Sequence, residues 1–279
     1  MARMKWETGR KSRNVEDRRS VRGPVMAGSG IGLVGILGLA GVVWLLGGNP
    51  MDVLQSAAEQ QSRQQQQAPS RSAPRFPEED KLAAFASVVL ASTEDTWTRL
   101  LGQQYRPAGL VLFTDRVRSA CGAQSAAVGP FYCPGDSKVY IDLGFYQELA
   151  RRHGAPGDFA QAYVLAHEVG HHIQNVTGDE RRVRQLQQQR PDQRNALSVA
   201  LELQADCYAG VWGHHAAGML EPGDVEEGLR AAAAIGDDRL QQQGRGVVVP
   251  ESFTHGSSAQ RVEALRKGLS SGDPAVCAI

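Results

Sequence analysis

The sequence predicts an α+β domain, a small sheet followed by several helices, behind a single N-terminal transmembrane helix. Three observations lead there. Residues 25–48, "VMAGSGIGLVGILGLAGVVWLLGG", carry no charge over 24 positions. Two short runs, "GLVLF" (109–113) and "KVYID" (138–142), are rich in the β-branched and aromatic residues that favour strands. From Phe145 onward the apolar residues mostly recur at helical spacing. A short sheet with helices gathered after it is the α+β arrangement.

Taken in order, residues 1–24 form a basic head with eight Lys/Arg against three Asp/Glu, inside a chain whose formal net charge is zero. The uncharged run after it would span about 36 Å as a helix at 1.5 Å per residue, long enough to cross a bilayer with some tilt. Basic residues before a span predict a cytoplasmic N-terminus and send the rest of the chain to the other side. A cleaved signal peptide competes with this reading, but "GGNPMD" after the run offers no Ala-x-Ala-like site. The expected location is therefore the cytoplasmic membrane, single-pass, with the outer part periplasmic or extracellular and the membrane contacted through residues 25–48. Nucleic-acid binding is not expected, because the basic cluster lies beside a hydrophobic segment rather than on a folded face.

Residues 49–77 are dominated by Gln, Ser and Pro and read as a linker that cannot build a core. Residues 78–279 make one domain of usual size. Its first helix is expected over 78–101, where Leu82, Phe85, Val89, Trp97 and Leu100 share a face. The clearest later helices cover about 158–176, 193–216, 223–240 and 257–269. Four cysteines on the outer side of a membrane point to disulfides, with three pairings possible. Cys121–Cys133 with Cys207–Cys277 is the simplest, since the first two bracket one loop; four buried free thiols are the alternative. No CxxC spacing occurs, which argues against zinc held by cysteine.

The stretch that carries chemistry is "VLAHEVGHHIQN", residues 164–175. On a helix, His167 and His171 are four apart and point the same way, so both imidazoles can reach one ion. Glu168 stands at the edge of that face, placed to work on a metal-held water without being a ligand. This is the H-E-x-x-H pattern of zinc metallohydrolases. His172 is one position further round and reads as a supporting polar residue, not a ligand.

A catalytic zinc site needs a third protein ligand and one open position. In "NALSVALELQADCYAGVW" (195–212), Glu202 and Asp206 share a narrow stripe flanked by Leu201, Leu203, Tyr208 and Trp212. Two carboxylates in such apolar company need partners, because an unpaired buried charge is expensive. Glu202 as third zinc ligand, with Asp206 accepting the far N–H of a ligand histidine, supplies them. One Zn2+ per chain is the expected cofactor.

With these residues, "GPFYCPGDSKVYIDLGFY" and the head "MKWETGRKSRNVEDRR", the chain resembles the bacterial putative neutral zinc metallopeptidases over nearly its whole length. The resemblance implies a zincin-like, mainly helical domain of the gluzincin group, which includes thermolysin and the membrane-bound CAAX-type proteases. In that group a helix-borne glutamate is the third ligand and the aspartate four residues on supports a ligand, which map onto Glu202 and Asp206. "SFTHGSSAQRVEAL" (252–265) is similar to a Thr-His-Pro…Arg segment of the CAAX-type relatives, with Gly256 where they have proline. On that likeness His255 is a second catalytic residue, stabilising the transition state; an unrelated surface histidine is the alternative. Ser257 or Ser258 should cap the helix that follows. His214 and His215, at the end of the Glu202 helix, should face solvent. "GPFYCPGDSKVYIDL" is either an edge strand that aligns an extended peptide or a plain core hairpin.

The expected function is a membrane-anchored zinc metalloendopeptidase that hydrolyses peptide bonds through a zinc-bound water activated by Glu168, with peptide or protein substrates. A non-catalytic zinc-containing scaffold or binding protein of the cell envelope is the main rival. A zinc hydrolase of non-peptide amides is a third reading.

Overall fold

A β-strand near the N-terminus sits in the central sheet of the domain that begins some sixty residues later. The computed structural model describes residues 4–19, 77–152 and 154–279, and these all belong to one compact unit. The strands are β1 (Val15–Asp17), β2 (Gly109–Phe113), β3 (Arg116–Ser119), β4 (Gly122–Ser125), β5 (Phe131–Cys133) and β6 (Lys138–Asp142). The sheet has the order β1-β2-β6-β5. Both β1 and β6 run parallel to β2, whereas β5 is antiparallel to β6. β3 and β4 form a separate antiparallel hairpin.

Side chains alternate between the faces of a strand, and here that alternation sorts two cores. Leu110, Leu112, Val139 and Ile141 point into the large helical core. Val111, Phe113 and Tyr140 face the other way and pack with Val117 of the hairpin. The Cys121–Cys133 disulfide ties the hairpin loop to β5.

The helices are α1 (Pro77–Leu101), α2 (Gly144–Arg152), α3 (Asp158–Thr177), α4 (Asp179–Gln189), α5 (Arg194–His215), α6 (Asp224–Ala234), α7 (Asp237–Arg245) and α8 (Ser258–Ser271). The single helix expected over 223–240 is thus two. A Cβ on Gly236 would lie 2.3 Å from the backbone nitrogen of Ser258, so the chain breaks where the start of α8 presses against it. Ser258 Oγ donates to the carbonyl of Ala233 at 2.7 Å, satisfying a carbonyl at the end of α6. α5 and α8 touch backbone to backbone: a Cβ on Gly268 would meet the carbonyl oxygen of Cys207 at 2.0 Å. A second disulfide, Cys207–Cys277, fastens the residues after α8 to α5.

One acid gathers three residues of the N-terminal segment. Glu94, on α1, accepts from Ser12 Oγ at 2.5 Å, from Asn14 Nδ2 at 2.8 Å and from Arg10 Nη2 at 2.9 Å. Met4 and Trp6 are buried, with the Trp6 ring edge-on to Phe85 at 5.4 Å.

This arrangement corrects the expected membrane topology. A single span over residues 25–48 would leave β1 and β2 on opposite sides of a bilayer, yet the two strands are hydrogen-bonded neighbours. The expected span lies outside the described residues, and among the described residues no helix is long and apolar enough to cross a membrane. The single-pass architecture, and the cytoplasmic-head, outer-domain localisation drawn from it, are set aside. What stands is an α+β domain with a small sheet and mainly helices. The basic residues read as a topology signal instead include Arg10, whose work is to hold Glu94 and Asp95.

Candidate metal centre

The centre is made by two helices that approach unusually closely. A Cβ on Gly170 of α3 would lie 2.8 Å from the carbonyl oxygen of Ala205 on α5, so only glycine lets the two backbones meet there. That contact falls one residue before His171 and three after Glu202, and it brings their side chains together. Glu202 lies 3.2 Å from His167 Nε2 through Oε2 and 3.5 Å from His171 Nε2 through Oε1. One ligand atom from each of the three residues falls within 4.8 Å of the others.

Both imidazoles are turned so that Nε2 is the converging nitrogen. His167 Nδ1 is paired with Asp206 Oδ1 at 2.8 Å, and His171 Nδ1 with Gln174 Oε1 at 2.9 Å. Gln174 is fixed in turn, donating to the carbonyl of Leu201 at 2.6 Å and to Gln204 Oε1 at 3.0 Å. Asp206 is fully buried and meets three further donations. Tyr163 donates its hydroxyl at 2.5 Å, and Arg261 reaches Oδ2 through Nε at 2.8 Å and Oδ1 through Nη2 at 2.9 Å. Such second partners fix a ligand's tautomer and orientation.

Charge follows this geometry. Burial works to raise the Asp206 pKa, but Arg261 and then His167 hold it down at about 2. Burial works to lower that of His167, yet Asp206 and Glu202 push it up to about 10. Glu202, also opposed by burial, is held below the usual carboxylate range by His171 and His167. Glu168 moves the other way: burial pushes its carboxyl up, and His167 and His171 only partly offset this. Two imidazole nitrogens and one carboxylate, converging from rigid helices, are the donor set of a catalytic zinc site. Glu202 has no hydrogen-bonding partner other than these two histidines among the described residues, which fits a ligand better than a structural salt bridge.

The other histidines make different contacts. His172 is buried on a different face of α3, with Nδ1 on the Tyr132 hydroxyl at 3.0 Å and Nε2 on the carbonyl of Arg106 at 2.5 Å. It braces α3 against β5. His214 and His215 hold the end of α8, reaching the carbonyls of Leu269 and Gly272 at 2.8 and 2.9 Å. His255 is half exposed, with Nδ1 3.2 Å from Asp237 Oδ1, and no hydrogen bond or ion pair joins it to His167, Glu168, His171 or Glu202. Gly256 beside it has φ +92°, which proline cannot adopt. Ser257 caps α8, with Gln260 completing a capping box.

Comparison with known proteins gives the same reading from another direction. The family described as putative neutral zinc metallopeptidase matches residues 4–279. The chain belongs to that family. Its relatives include the uncharacterized protein YpfJ of Escherichia coli strain K12, 51% identical over 284 residues that cover 98% of each chain. The uncharacterized protein Rv2575 of Mycobacterium tuberculosis is 44% identical over 199 residues, 67% of this chain and 66% of that one. No solved structure matches. The family's description implies zinc, and the His167, His171 and Glu202 group is where the fold offers ligands for it.

Two partners of Asp206 escape a reading of spacing alone. Tyr163 stands one helical turn before His167 on the same face, which is the local signal for it. Arg261 lies in the segment similar to the CAAX-type relatives, but nothing local says that its guanidinium, 3% exposed, turns inward to Asp206.

Proposed function

We propose that the chain is a zinc-dependent endopeptidase in which His167, His171 and Glu202 hold the metal and Glu168 is the general base. The observation that carries this reading is the state of Glu168. It is buried beside the ligand group, its pKa is raised by burial, and it has no hydrogen bond or ion pair among the described residues. A purely structural metal site has no use for such a carboxylate. A base whose pKa is moved toward the working pH, with no competing partner, is suited to proton transfer.

Zinc, when bound, supplies a Lewis acid that acidifies water and polarises a carbonyl. Glu168 accepts one proton from the attacking water and returns it to the nitrogen of the leaving amine, ending as the carboxylate it began as. Asp206 keeps the Nδ1 proton of His167 in place, while Arg261 and Tyr163 keep Asp206 ionised and aimed. His255, half exposed and paired with Asp237, is kept in this reading as a second donor that stabilises the transition state.

An extended peptide substrate is supported by β5. That strand lies at one edge of the sheet and is tied to the ligand helix through the Tyr132 hydroxyl, which meets His172 Nδ1 and accepts from Asn175 Nδ2 at 2.9 Å. A peptide added along such an edge is aligned by backbone hydrogen bonds. Cleavage of casein or a peptide mixture, lost with a chelator and regained with zinc, tests the reading. A zinc-loaded chain that cuts neither would favour a non-catalytic binding protein.

A further inference from the structure

A second cluster of ligating groups lies where the N-terminal segment meets α3 and α6. Asp158 opens α3, Asp224 opens α6, and Glu227 follows three residues later. One oxygen from each lies within 4.8 Å of the others. Asp224 is fully buried and Glu227 is 9% exposed. Among the described residues, each carboxylate leaves one buried oxygen without a hydrogen-bond partner: Asp158 Oδ1, Asp224 Oδ1 and Glu227 Oε2. The backbone takes up only two of the remaining oxygens. Met4 N donates to Asp158 Oδ2 at 2.9 Å, and Glu221 N to Asp224 Oδ2 at 2.7 Å.

The positive end of a helix dipole explains one acid at the start of α3 and one at the start of α6. It does not explain three oxygens unpartnered among the described residues and gathered in one buried place, where each loses its hydration without replacement. Room is reserved for them as well. A Cβ on Gly157 would fall 1.5 Å from Glu227 Oε2, so any side chain there would take the carboxylate's place. Burial and then the neighbouring Asp224 and Asp158 push the Glu227 carboxyl up; Arg230 only partly offsets this, and it donates no hydrogen bond to Glu227.

We propose that Asp158, Asp224 and Glu227 bind a calcium ion that clasps α6 to the start of the His167 helix, beside the Met4 backbone that Asp158 holds. The ligands are all oxygen and carry three formal negative charges, which selects a hard cation. Zinc prefers nitrogen and sulfur. Magnesium demands near-ideal octahedral geometry and gives up its water reluctantly, whereas calcium accepts irregular sets of six to eight oxygens, including bidentate carboxylates. The site is separate from the His167 group, and its role is to fix where α3 begins.

Calorimetric titration of the metal-stripped full chain with calcium chloride, with thermal unfolding in parallel, tests this. One calcium per chain is expected, with a Kd no weaker than about 10⁻³ M, and a Tm that rises with calcium more than with equal magnesium. Glu227→Gln and Asp224→Asn should each abolish the binding and the Tm response while zinc binding persists. Relief of repulsion should raise the Tm of both variants in calcium-free buffer. Glu227→Gln decides the matter if Asp224→Asn does not fold, because the Glu227 carboxylate makes no hydrogen bond among the described residues. Absence of calcium binding by the natural chain, an equal response to magnesium, or an unchanged calcium response in Glu227→Gln would overturn the proposal.

Discussion

His167 Nδ1 and Asp206 Oδ1 lie 2.8 Å apart, and Arg261 clamps the same carboxylate through both oxygens, Nη2 on Oδ1 and Nε on Oδ2. One buried carboxylate therefore sets the tautomer of His167 and neutralises a buried guanidinium. Asp206→Asn should cost on both counts. Loss of a ligand's supporting partner typically weakens metal binding about 10–100-fold. Leaving Arg261 buried without its counter-ion should destabilise the fold by about 3–5 kcal/mol. Zinc competition titration and urea unfolding read the two effects separately, and a variant normal in both would remove Asp206 from the account.

Gly170→Ala tests the close contact of α3 and α5. Helix propensity alone would favour alanine by about 1 kcal/mol. The added methyl would instead meet backbone atoms of Ala205 at 2.8–2.9 Å, which cannot turn aside as a side chain can. The helices must separate, moving Glu202 away from the two histidines. A stability loss of about 1–3 kcal/mol and weaker zinc retention are expected. A stabilised variant with unchanged zinc affinity would show that the contact is not what gathers the ligands.

Stability of the metal-free chain should depend on pH in a defined sense. His167 is raised from 6.5 to about 10, so the folded form holds its proton more tightly than the unfolded chain. Its contribution is full below pH 6.5 and is lost as pH climbs through about 10. Asp206 is lowered from 3.8 to about 2, so its contribution is full above 3.8 and is lost as pH falls through about 2. Zinc requires the neutral imidazole, and its addition should raise the urea midpoint more at pH 9 than at pH 6. A zinc effect that is larger at pH 6 would contradict these assignments.

Glu94→Ala should loosen the N-terminal segment, because Arg10, Ser12 and Asn14 would lose a shared acceptor. A cost of about 1–3 kcal/mol is expected, with faster tryptic cleavage at Arg10, Lys11 and Arg13. An unchanged cleavage rate would mean that β1 holds its place without Glu94.

How much of this was legible in the sequence follows from whether each signal is local. The strands over 109–113 and 138–142 announce themselves, because parallel partners and two covered faces demand unbroken apolar runs. The HEVGH helix and the Glu202 helix are legible for the same reason, since ligand chemistry fixes spacing along one face. The head hides its role in the sheet because its strand, Val15–Asp17, is mostly polar and its stabilising partners are more than seventy residues away. Basic residues beside an uncharged run carry the same local signature whether they mark a topology or dock on a folded surface. The break at Gly236 and the inward turn of Arg261 are likewise set by residues distant in sequence: Ser258 for one, Asp206 for the other.

The most direct test of the central claim is Glu168→Gln, measured for zinc content and peptide cleavage in the same preparation. The change keeps size and removes the base, and the ligand set of His167, His171 and Glu202 is untouched. One zinc per chain should remain while cleavage falls by at least ~10²-fold. A zinc-loaded Glu168→Gln chain that cleaves at the natural rate would contradict the account.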